Sequence, residues 1–556
     1  MVQFDEEKQN ERVATLHHKE EEELVEQLAR RDGIPYLDLS STPINIDALR
    51  VIKEADARAA SLAVFNATDK NIDIAVLSPE SEEAKEALED LRQRGYNLEI
   101  FMVSHASLER VWERYKDLSY SFETKSGALD ISNDEIIDIT KKVRTLADIK
   151  KLIEETLSLK RAYRISRILE IILAGSLSLK ASDIHLEPEE DGLRLRYRLD
   201  GVLTDILNFD LETYELLLSR IKLISELKLN VKDRAQDGRF SIKLRDIEIE
   251  VRTSTLPGPN GESSVLRVLN PDSIAVDLDT LGIHPKLLEI IEVEIRKPNG
   301  MILVTGPTGS GKTTTLYAFL KKIYTPDIKV ITIENPIEYH LDGIVQTQTE
   351  ADKGYTFAEG LRSSLRQDPD VIMVGEIRDD ETAGVAVNAA LTGHLVFSTL
   401  HTNNAAGSFP RLLDLGVNSK VISSALNISI AQRLVRKLCD TCKKEKALEG
   451  AWKKKVEQIL GEVDDKSYLD GVQQKTVWEH VGCDVCGGLG FKGRIGVFEA
   501  IVINEEIEKA VIENPSERDI RAAAKGQKLL NLPQDGVIKA LQGVTTLEEL
   551  DRVVDL

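Results

Sequence analysis

The sequence is poor in cysteine, in aromatic residues and in long apolar segments. Its 556 residues include only four cysteines, and phenylalanine, tryptophan and tyrosine together make up 5%. Four cysteines suit a metal site in a reducing compartment better than a disulfide framework. No apolar run approaches the roughly 20 residues of a bilayer-spanning helix, and the first residues are too charged for a signal peptide. We therefore expect a cytoplasmic protein without a transmembrane segment.

Positive charge is also scarce. Lysine and arginine total 72 against 94 acidic residues, which gives a formal net charge of −22. This balance disfavours a protein that coats nucleic acid, although it leaves room for a local basic groove. The length predicts about three to five domains, each with its own apolar core.

The most informative motif lies at residues 301–324. The apolar run Met301–Thr305 predicts a strand, a glycine-rich turn follows, and apolar residues at helical spacing come after it. The turn fits the pattern G-x-x-x-x-G-K-[ST], in which backbone amides and a lysine surround nucleotide phosphates and a hydroxyl binds Mg²⁺. A chance glycine-rich turn would lack the flanking strand and helix. The predicted nucleotide-binding residues are Gly306, Pro307, Thr308, Gly309, Ser310, Gly311, Lys312, Thr313 and Thr314, with Thr313 as a magnesium ligand.

Two carboxylates follow strand-like runs further along the chain. Glu338 comes shortly after Val330–Ile333, and Glu376 follows Val371–Val374. The carboxyl ends of parallel strands are where an open α/β sheet binds its ligands. Hydrolysis of a nucleotide needs one carboxylate near Mg²⁺ and another that orients or deprotonates water. Glu338 and Glu376 are therefore candidate catalytic residues.

A histidine lies at the end of a third strand-like run. His401 follows Leu395–Thr399, and taken alone it is as consistent with a structural imidazole as with a functional one. Its place at a strand end beside the phosphates favours a group that senses the γ-phosphate.

The region before the P-loop reads as two α+β units. In the first we predict a strand at Ile34–Leu39 and a helix at Ile46–Ile52, followed by paired strands and further helices. A polar linker near Ser119–Asp134 precedes one charged helix at Ile136–Leu159, and the second unit contains a long helix at Tyr214–Leu229.

Three arginines in the second unit stand out. Arg239, Arg252 and Arg267 lie in or near predicted strands, and a further basic alternation occupies residues 194–198. Exposed arginines are common, so the residues alone leave open whether these are solvated charges or ligands of an anion.

The four cysteines form two pairs late in the chain. Both pairs have two intervening residues, the spacing at which one turn presents two thiolates to a tetrahedral zinc ion. Redox-active pairs are the alternative, but no thioredoxin-like pattern surrounds them. The predicted zinc ligands are Cys439, Cys442, Cys483 and Cys486.

Together these motifs resemble the secretion ATPases that power type II secretion and type IV pilus assembly. The resemblance extends over nearly the whole chain and follows the order of that family's motifs. The matching segments are ASDIHLEP, QDGRF, STLP, GPTGSGKTTTLYA, ENPIE, RQDPDVIMVGEIRD, TGHLVFSTLHTN and QRLVRKLC.

The resemblance implies an α/β multidomain fold in which a RecA-like P-loop motor follows a PAS-like α+β domain. It also implies an extra N-terminal α+β adaptor, a four-cysteine zinc subdomain and a C-terminal helical region. The expected boundaries are 1–118 (adaptor), 119–160 (linker and helix), 161–272 (PAS-like), 273–436 (RecA-like), 437–498 (zinc subdomain) and 499–556 (helical region).

The resemblance also implies roles for single residues. Glu338 matches the general base of the family's Asp box, Glu376 its Walker B glutamate, and 392–403 its His box. Arg239 and Arg252 lie where the family places arginines that face the nucleotide. At position 335 asparagine replaces the aspartate of the Asp box, which removes one negative charge near the metal.

The implied function is an ATP-hydrolysing motor, expected as a homohexamer, that uses ATP, Mg²⁺ and a structural Zn²⁺. It would be cytoplasmic, peripherally associated with the inner membrane through a platform protein. One alternative is a nucleotide-gated scaffold with little hydrolysis. Another is a RecA-like nucleic-acid motor, which the net charge and the low aromatic content disfavour.

Overall fold

The structure is a computed structural model that describes residues 21–39, 42, 44–68, 71–117, 122–123, 128–130, 133–157, 161–244, 247–269 and 276–556. These residues form two compact units. The first comprises the residues up to Glu123 with the segments Asp130–Ser132 and Glu155–Leu169, and the second comprises the rest.

The first unit is built on a three-stranded sheet. Strand β1 (Leu62–Thr68) pairs antiparallel with β2 (Asn71–Val76), and β2 pairs parallel with β3 (Asn97–Met102). The crossover helix α3 (Glu82–Gln93) joins the parallel pair and buries Ala84, Leu88 and Leu91. The other elements of the unit are the helices α1 (21–32), α2 (Glu54–Ala59) and α4 (His105–Glu113) and the two-residue strand β4 (Phe122–Glu123).

One prediction for this unit is wrong. The predicted strand Ile34–Leu39 is a single bridge between Tyr36 and Met102, since Pro35 has no N–H to extend a ladder. The predicted helix Ile46–Ile52 is present as a 3-10 helix over Ile46–Val51.

The second unit begins with helices that we predicted as one. Helices α5 (Asn133–Lys142) and α6 (Leu146–Leu157) are separated at Arg144 and Thr145. The carboxylate of Asp148 accepts hydrogen bonds from both of these backbone amides, at 2.9 and 2.8 Å, and so caps the start of α6. Helix α7 (Arg161–Ser178) follows, and its residues up to Leu169 belong to the first unit.

An antiparallel sheet comes next, in the order β9-β10-β11-β6-β7-β8. Helix α8 (Leu211–Ile224) starts at its N-cap Asp210 and ends before Leu229, because Glu226 turns into the left-handed region at φ 59°. The short strand β5 (Ala128–Asp130) pairs parallel with β9. The strands of the sheet are β6 (Asp183–Glu189), β7 (Gly192–Leu199), β8 (Val202–Phe209), β9 (Gln236–Leu244), β10 (Ile247–Gly258) and β11 (Gly261–Leu269).

The P-loop lies in a seven-stranded sheet of order β14-β13-β15-β16-β12-β17-β20. All neighbours pair parallel except β17 and β20, which pair antiparallel. Every residue of β12, β13, β15 and β16 is buried, as expected for strands with helices on both faces. The strands are β12 (Gly300–Thr305), β13 (Val330–Glu334), β14 (Val345–Gln348), β15 (Val371–Val374), β16 (Leu395–Leu400), β17 (Leu426–Leu438) and β20 (Phe491–Val502).

Helix α9 (Pro285–Glu294) precedes the first strand of this sheet in the chain. Five helices lie between its strands from β12 to β17: α10 (Lys312–Ile323), α11 (Phe357–Leu365), α12 (Asp380–Leu391), α13 (Ser408–Asp414) and α14 (Ser419–Ala425).

Strand β20 was not predicted. It contains the expected boundary of the zinc subdomain at 498/499, and β17 contains the expected boundary at 436/437. Both boundaries therefore fall inside strands of the motor sheet, in which β20 is an edge strand. The segment between these two strands holds the hairpin β18 (Lys444–Ala447) and β19 (Thr476–Glu479), with α15 (Gly450–Gly461) between them.

The last part of the chain is helical, as predicted. Ser516 and Thr546 each accept a hydrogen bond from the backbone amide three residues on, so both act as helix N-caps. The helices are α16 (Glu505–Glu513), α17 (Glu517–Ala524), α18 (Leu532–Leu541) and α19 (Leu547–Asp551). None of the helices in the described part of the chain has the length and apolar character needed to span a membrane.

Candidate active site

The P-loop joins the central strand β12 to helix α10. Gly306 (φ 150°), Gly309 (φ 80°) and Gly311 (φ 86°) all have backbone angles that favour glycine. A Cβ at Gly306 would lie 2.5 Å from the carbonyl oxygen of Gln432, so a larger residue does not fit there. No side chain caps α10, which leaves the amides of its first turn available to an anion.

Lys312 extends over this loop. Its ammonium group donates to the carbonyl oxygens of Gly306 at 3.0 Å and Pro307 at 3.1 Å. Burial lowers the pKa of Lys312, and the nearby carboxylate of Glu376 acts in the opposite direction. A buried ammonium is stabilised by an anion close to it, so this environment suits a phosphate.

The loop lies in a cavity of about 1040 Å³. Residues 307–314 line it together with the candidate groups Glu338, Glu376 and His401. Strands β6, β7 and β11 of the antiparallel sheet contribute a second wall, which includes Arg198 and Arg267. The structure thus brings the predicted phosphate loop, both candidate carboxylates and the histidine into one site. We call this space the P-loop cavity.

Glu376 and His401 contact each other in the P-loop cavity. The Nε2 atom of His401 lies 3.2 Å from Oε2 of Glu376, and the Nη2 atom of Arg378 lies 2.6 Å from Oε1 of the same carboxylate. The Glu376 side chain is 13% exposed, whereas that of His401 is 45% exposed. The two groups come from the ends of neighbouring strands, β15 and β16, as the sequence predicted.

Two acidic side chains of the Asp-box segment have different surroundings. The buried carboxylate of Glu334 accepts from Thr332 Oγ1 at 2.6 Å, from Gln346 Nε2 at 3.0 Å and from the hydroxyl of Tyr317. These donors occupy Glu334 within the protein. Glu338 is half-buried at the cavity wall, with no such set of donors among the described hydrogen bonds.

The environment of Glu338 includes the arginines of the antiparallel sheet. Burial raises the pKa of Glu338, while the charges of Arg252 and Arg267 lower it, and the net shift is upward. A carboxylate with a raised pKa is a stronger base than an ordinary glutamate.

Four arginines and one aspartate form a line across the antiparallel sheet. Arg252 pairs directly with Arg239 on β9 and with Arg267 on β11, Arg267 pairs with Asp183 on β6, and Asp183 pairs with Arg198 on β7. Directly paired residues share a face of the sheet, and like charges in such pairs are unfavourable. We call this line the arginine row, and its clustered charge suits an anion.

Asp183 lies within the row and binds two of its arginines. Its side chain is 8% exposed, and Arg267 Nε and Arg198 Nε lie 3.1 and 3.3 Å from its carboxylate oxygens. This buried carboxylate fixes both guanidinium groups at the wall of the P-loop cavity.

The row divides between two cavities. Arg239 and Arg252 line a second cavity of about 1150 Å³ beside the Asp-box segment, and Arg267 lines both. Arg252 donates to the carbonyl oxygen of Ile337 at 3.4 Å, next to Glu338. Arg198 was not among the predicted site residues, and Arg267 was noted without a role. Both lie near the P-loop because of the register of the strand pairs, and this register could not be read from the sequence.

The four cysteines come together outside the P-loop cavity. Their sulfur atoms lie within 4.8 Å of one another, and three of the pairs are 3.8 Å apart. Zinc–sulfur bonds of about 2.3 Å in a tetrahedron place the sulfurs about 3.8 Å apart. A disulfide would need about 2.05 Å, so the cluster fits a metal better than redox pairs.

Comparison with known proteins places this site in a family. Residues 159–552 match the family described as type II/IV secretion system protein, and residues 33–121 match the MshEN domain. The type II secretion system protein E of Dickeya dadantii is 39% identical over 519 residues, which cover 93% of this chain and 99% of that protein. The type IV pilus assembly ATPase PilB of Myxococcus xanthus is 34% identical over 560 residues, covering 99% and 94%.

A solved structure shares the fold. The ATPase DotB of Legionella pneumophila superposes with a TM-score of 0.50 at 24% identity, covering 69% of this chain and 94% of that one. The predicted α/β architecture with a RecA-like motor is confirmed, as is the resemblance drawn from the motifs. This chain belongs to the type II/IV secretion system protein family and is an ATPase that uses a nucleotide with Mg²⁺.

Proposed function

We propose that this ATPase is a motor that powers type IV pilus assembly or type II secretion. Its likeness over nearly full length to a secretion protein E and to a pilus assembly ATPase supports this assignment. We further propose that it works as a homohexamer in the cytoplasm, held at the inner membrane by a platform protein. The observation that carries the proposal is the arginine row, because two of its members, Arg198 and Arg267, line the P-loop cavity from a sheet other than the motor sheet.

The phosphate loop binds the triphosphate. The loop amides and Lys312 contact the phosphates, and the Thr313 hydroxyl and the Glu376 carboxylate are the oxygen ligands for Mg²⁺, which prefers such donors. Both side chains line the P-loop cavity. When bound, Mg²⁺ neutralises charge on the phosphate oxygens.

Glu338 is the general base in this proposal. Its carboxylate orients the attacking water and takes one proton from it as the water oxygen bonds to the γ-phosphorus, and the bond between that phosphorus and the β–γ bridging oxygen breaks to release ADP. Its half-buried position raises its pKa, which gives it more affinity for that proton than an exposed glutamate has. His401, in contact with Glu376, senses whether the γ-phosphate is present.

The arginine row stabilises the charge on the phosphate as it is transferred. Arginines in this role accelerate phosphoryl transfer by about 10³ to 10⁵ in other P-loop enzymes. We propose that the antiparallel sheet closes on ATP, so that Arg252 and Arg239 come nearer to the nucleotide while Arg267 stays the nearest of the three, and reopens after phosphate release. A rigid-body rotation of this kind can push on a partner protein.

The four-cysteine cluster holds a structural Zn²⁺ in this proposal. Four thiolates close the coordination shell and leave no position for a substrate, so the metal stabilises the fold without joining the chemistry.

Chromosomal substitution in the producing cell tests the function. Lys312→Ala and Glu338→Gln should abolish surface pili or the release of secreted proteins while the protein remains at its normal level. Normal pili and normal secretion in both strains would contradict the proposal. ATP turnover that depends on added DNA would instead favour a nucleic-acid motor.

A further inference from the structure

His185 lies on β6, and its side chain lines the P-loop cavity. It belongs to the motif ASDIHLEP, and the hydrolysis scheme above gives it no role. Only 13% of its side chain is exposed. A polar ring that is buried to this extent needs a partner for each of its nitrogens, so its neighbours indicate what it does.

Each ring nitrogen of His185 has a charged neighbour. Nε2 lies 3.4 Å from Nη2 of Arg198, and Nδ1 lies 3.3 Å from Oε1 of Glu187. A guanidinium group can only donate, so Nε2 is the acceptor and carries no hydrogen. The hydrogen of the neutral ring is then on Nδ1, next to the Glu187 carboxylate. His185 therefore connects Glu187 to Arg198 in a single tautomer.

Glu187 is held in turn by the neighbouring strand. Arg196 pairs directly with His185 across β6 and β7, and its Nη2 donates to Oε2 of Glu187. The other carboxylate oxygen, Oε1, is the one that faces the imidazole. A carboxylate behind an imidazole fixes both the tautomer and the orientation of the ring.

The surroundings of His185 favour its neutral form. Burial lowers its pKa most, and the charges of Arg198 and Arg196 act in the same direction. The charges of Glu187 and Asp183 raise the pKa, and the net shift is downward. A protonated ring would direct an N–H at the guanidinium group and place two cations 3.4 Å apart. The neutral ring is thus the form that can hold Arg198.

Arg198 keeps donors for a ligand. Its Nη2 donates to His185, and its Nη1 donates to the carbonyl oxygen of Gly201 at 3.3 Å. Its Nε lies 3.3 Å from Oδ2 of Asp183. A guanidinium group has two N–H donors on each terminal nitrogen, so each of these nitrogens retains one. Because the side chain is 34% exposed and lines the P-loop cavity, these two donors are available to the oxygens of a phosphate.

We propose that His185 is a positioning residue for hydrolysis, which acts by holding Arg198 towards the transferred phosphate. Arg198 is the catalytic residue of the pair, because its remaining N–H groups contact the phosphate oxygens in the transition state. His185 touches no substrate, and Glu187 keeps its ring in the tautomer that Arg198 needs. The inference rests on the ATP site proposed above, and the loss of ATP binding in Lys312→Ala tests that site separately.

A double-mutant cycle in the full chain tests the link between His185 and Arg198. Arg198→Ala should lower kcat by at least about tenfold and His185→Ala by about five- to tenfold, with KM for ATP changed less than about twofold in both. The double variant should be no slower than Arg198→Ala alone, because His185 then has nothing to hold. A loss in the double variant equal to the product of the two single losses would overturn the proposal.

The conservative variant His185→Gln separates positioning from a structural role. Its amide oxygen can replace Nε2 as the acceptor, so kcat should stay within about twofold of wild type. A kcat as low as that of Arg198→Ala would overturn the proposal, and this comparison decides the question even if His185→Ala does not fold.

Arg194→Ala is the matched control for Arg198→Ala. Arg194 lies on the same strand, forms ion pairs with Asp205 and Glu189, and lines neither of the two cavities described here. Exposed ion pairs of this kind contribute little, so the variant should hydrolyse ATP at the wild-type rate. A loss in Arg194→Ala as large as that in Arg198→Ala would overturn the special role of Arg198.

Discussion

Arg267→Ala should slow ATP hydrolysis much more than Arg239→Ala, although both arginines belong to the arginine row. Neighbouring strands lie about 4.8 Å apart, so Arg239 is roughly 10 Å further from the P-loop cavity than Arg267. At an effective dielectric constant of about 20, two unit charges interact by about 4 kcal/mol at 4 Å and by about 1 kcal/mol at 14 Å. Salt screening over about 8 Å weakens the longer interaction further.

Exposure reduces the effect expected at Arg267. Its side chain is 64% exposed, so we discount the Coulomb value to about 1.4–2.8 kcal/mol, or about ten- to a hundredfold in rate. For Arg239 we expect less than about threefold, and for Arg252, which is adjacent to both, an intermediate loss.

Phosphate release at saturating ATP measures this gradient. Thermal melting of each variant checks that the fold is kept, and Arg234→Ala, an exposed arginine that lines neither of the two cavities described here, is the matched control. Equal losses for Arg239→Ala and Arg267→Ala would refute the reasoning from the register. So would a normal rate for Arg267→Ala.

Three further predictions concern acid, metal and binding. Because burial raises the pKa of Glu338 and a general base must be deprotonated, kcat should fall on acidification at a higher pH than it would with an ordinary glutamate. Arg252→Ala removes a charge that lowers this pKa, so the fall in its kcat profile should lie at a still higher pH. Protein purified without chelator should contain about one zinc per chain by metal analysis. Cys483→Ser should contain less zinc and have a lower melting temperature. Wild-type protein without zinc would exclude the zinc site. Lys312→Ala should lose tight ATP binding in equilibrium titration, and unchanged affinity would remove the lysine from the site.

The motor sheet was predictable because its signal is local. Strands β12, β13, β15 and β16 are short apolar runs, and each is followed by the polar residues that a ligand needs. Strand β20 escaped prediction because Lys492, Gly493 and Arg494, which follow its buried first residue Phe491, are polar or small and exposed, so they interrupt the apolar pattern. Its place in the sheet comes from pairing with β17, a contact between residues far apart in the chain.

The sequence also predicted part of the candidate site, namely the residues that belong to motifs. Lys312, Glu338, Glu376 and His401 follow from motifs, and the structure brings them to one cavity. The arginine row does not follow from any motif, because it depends on the register of four strand pairs at once. The different surroundings of Glu334 and Glu338 also depend on tertiary contacts, since Tyr317 and Gln346 reach Glu334 from other elements.

Single-turnover hydrolysis by Glu338→Gln tests the central claim most directly. The variant keeps the volume of the side chain and removes its negative charge and its ability to take a proton. With protein in excess over ATP, it should bind the nucleotide with nearly wild-type affinity and release phosphate at least about a hundredfold more slowly, in line with the contribution of a general base. Hydrolysis at the wild-type rate would contradict the assignment of Glu338 as the group that activates water.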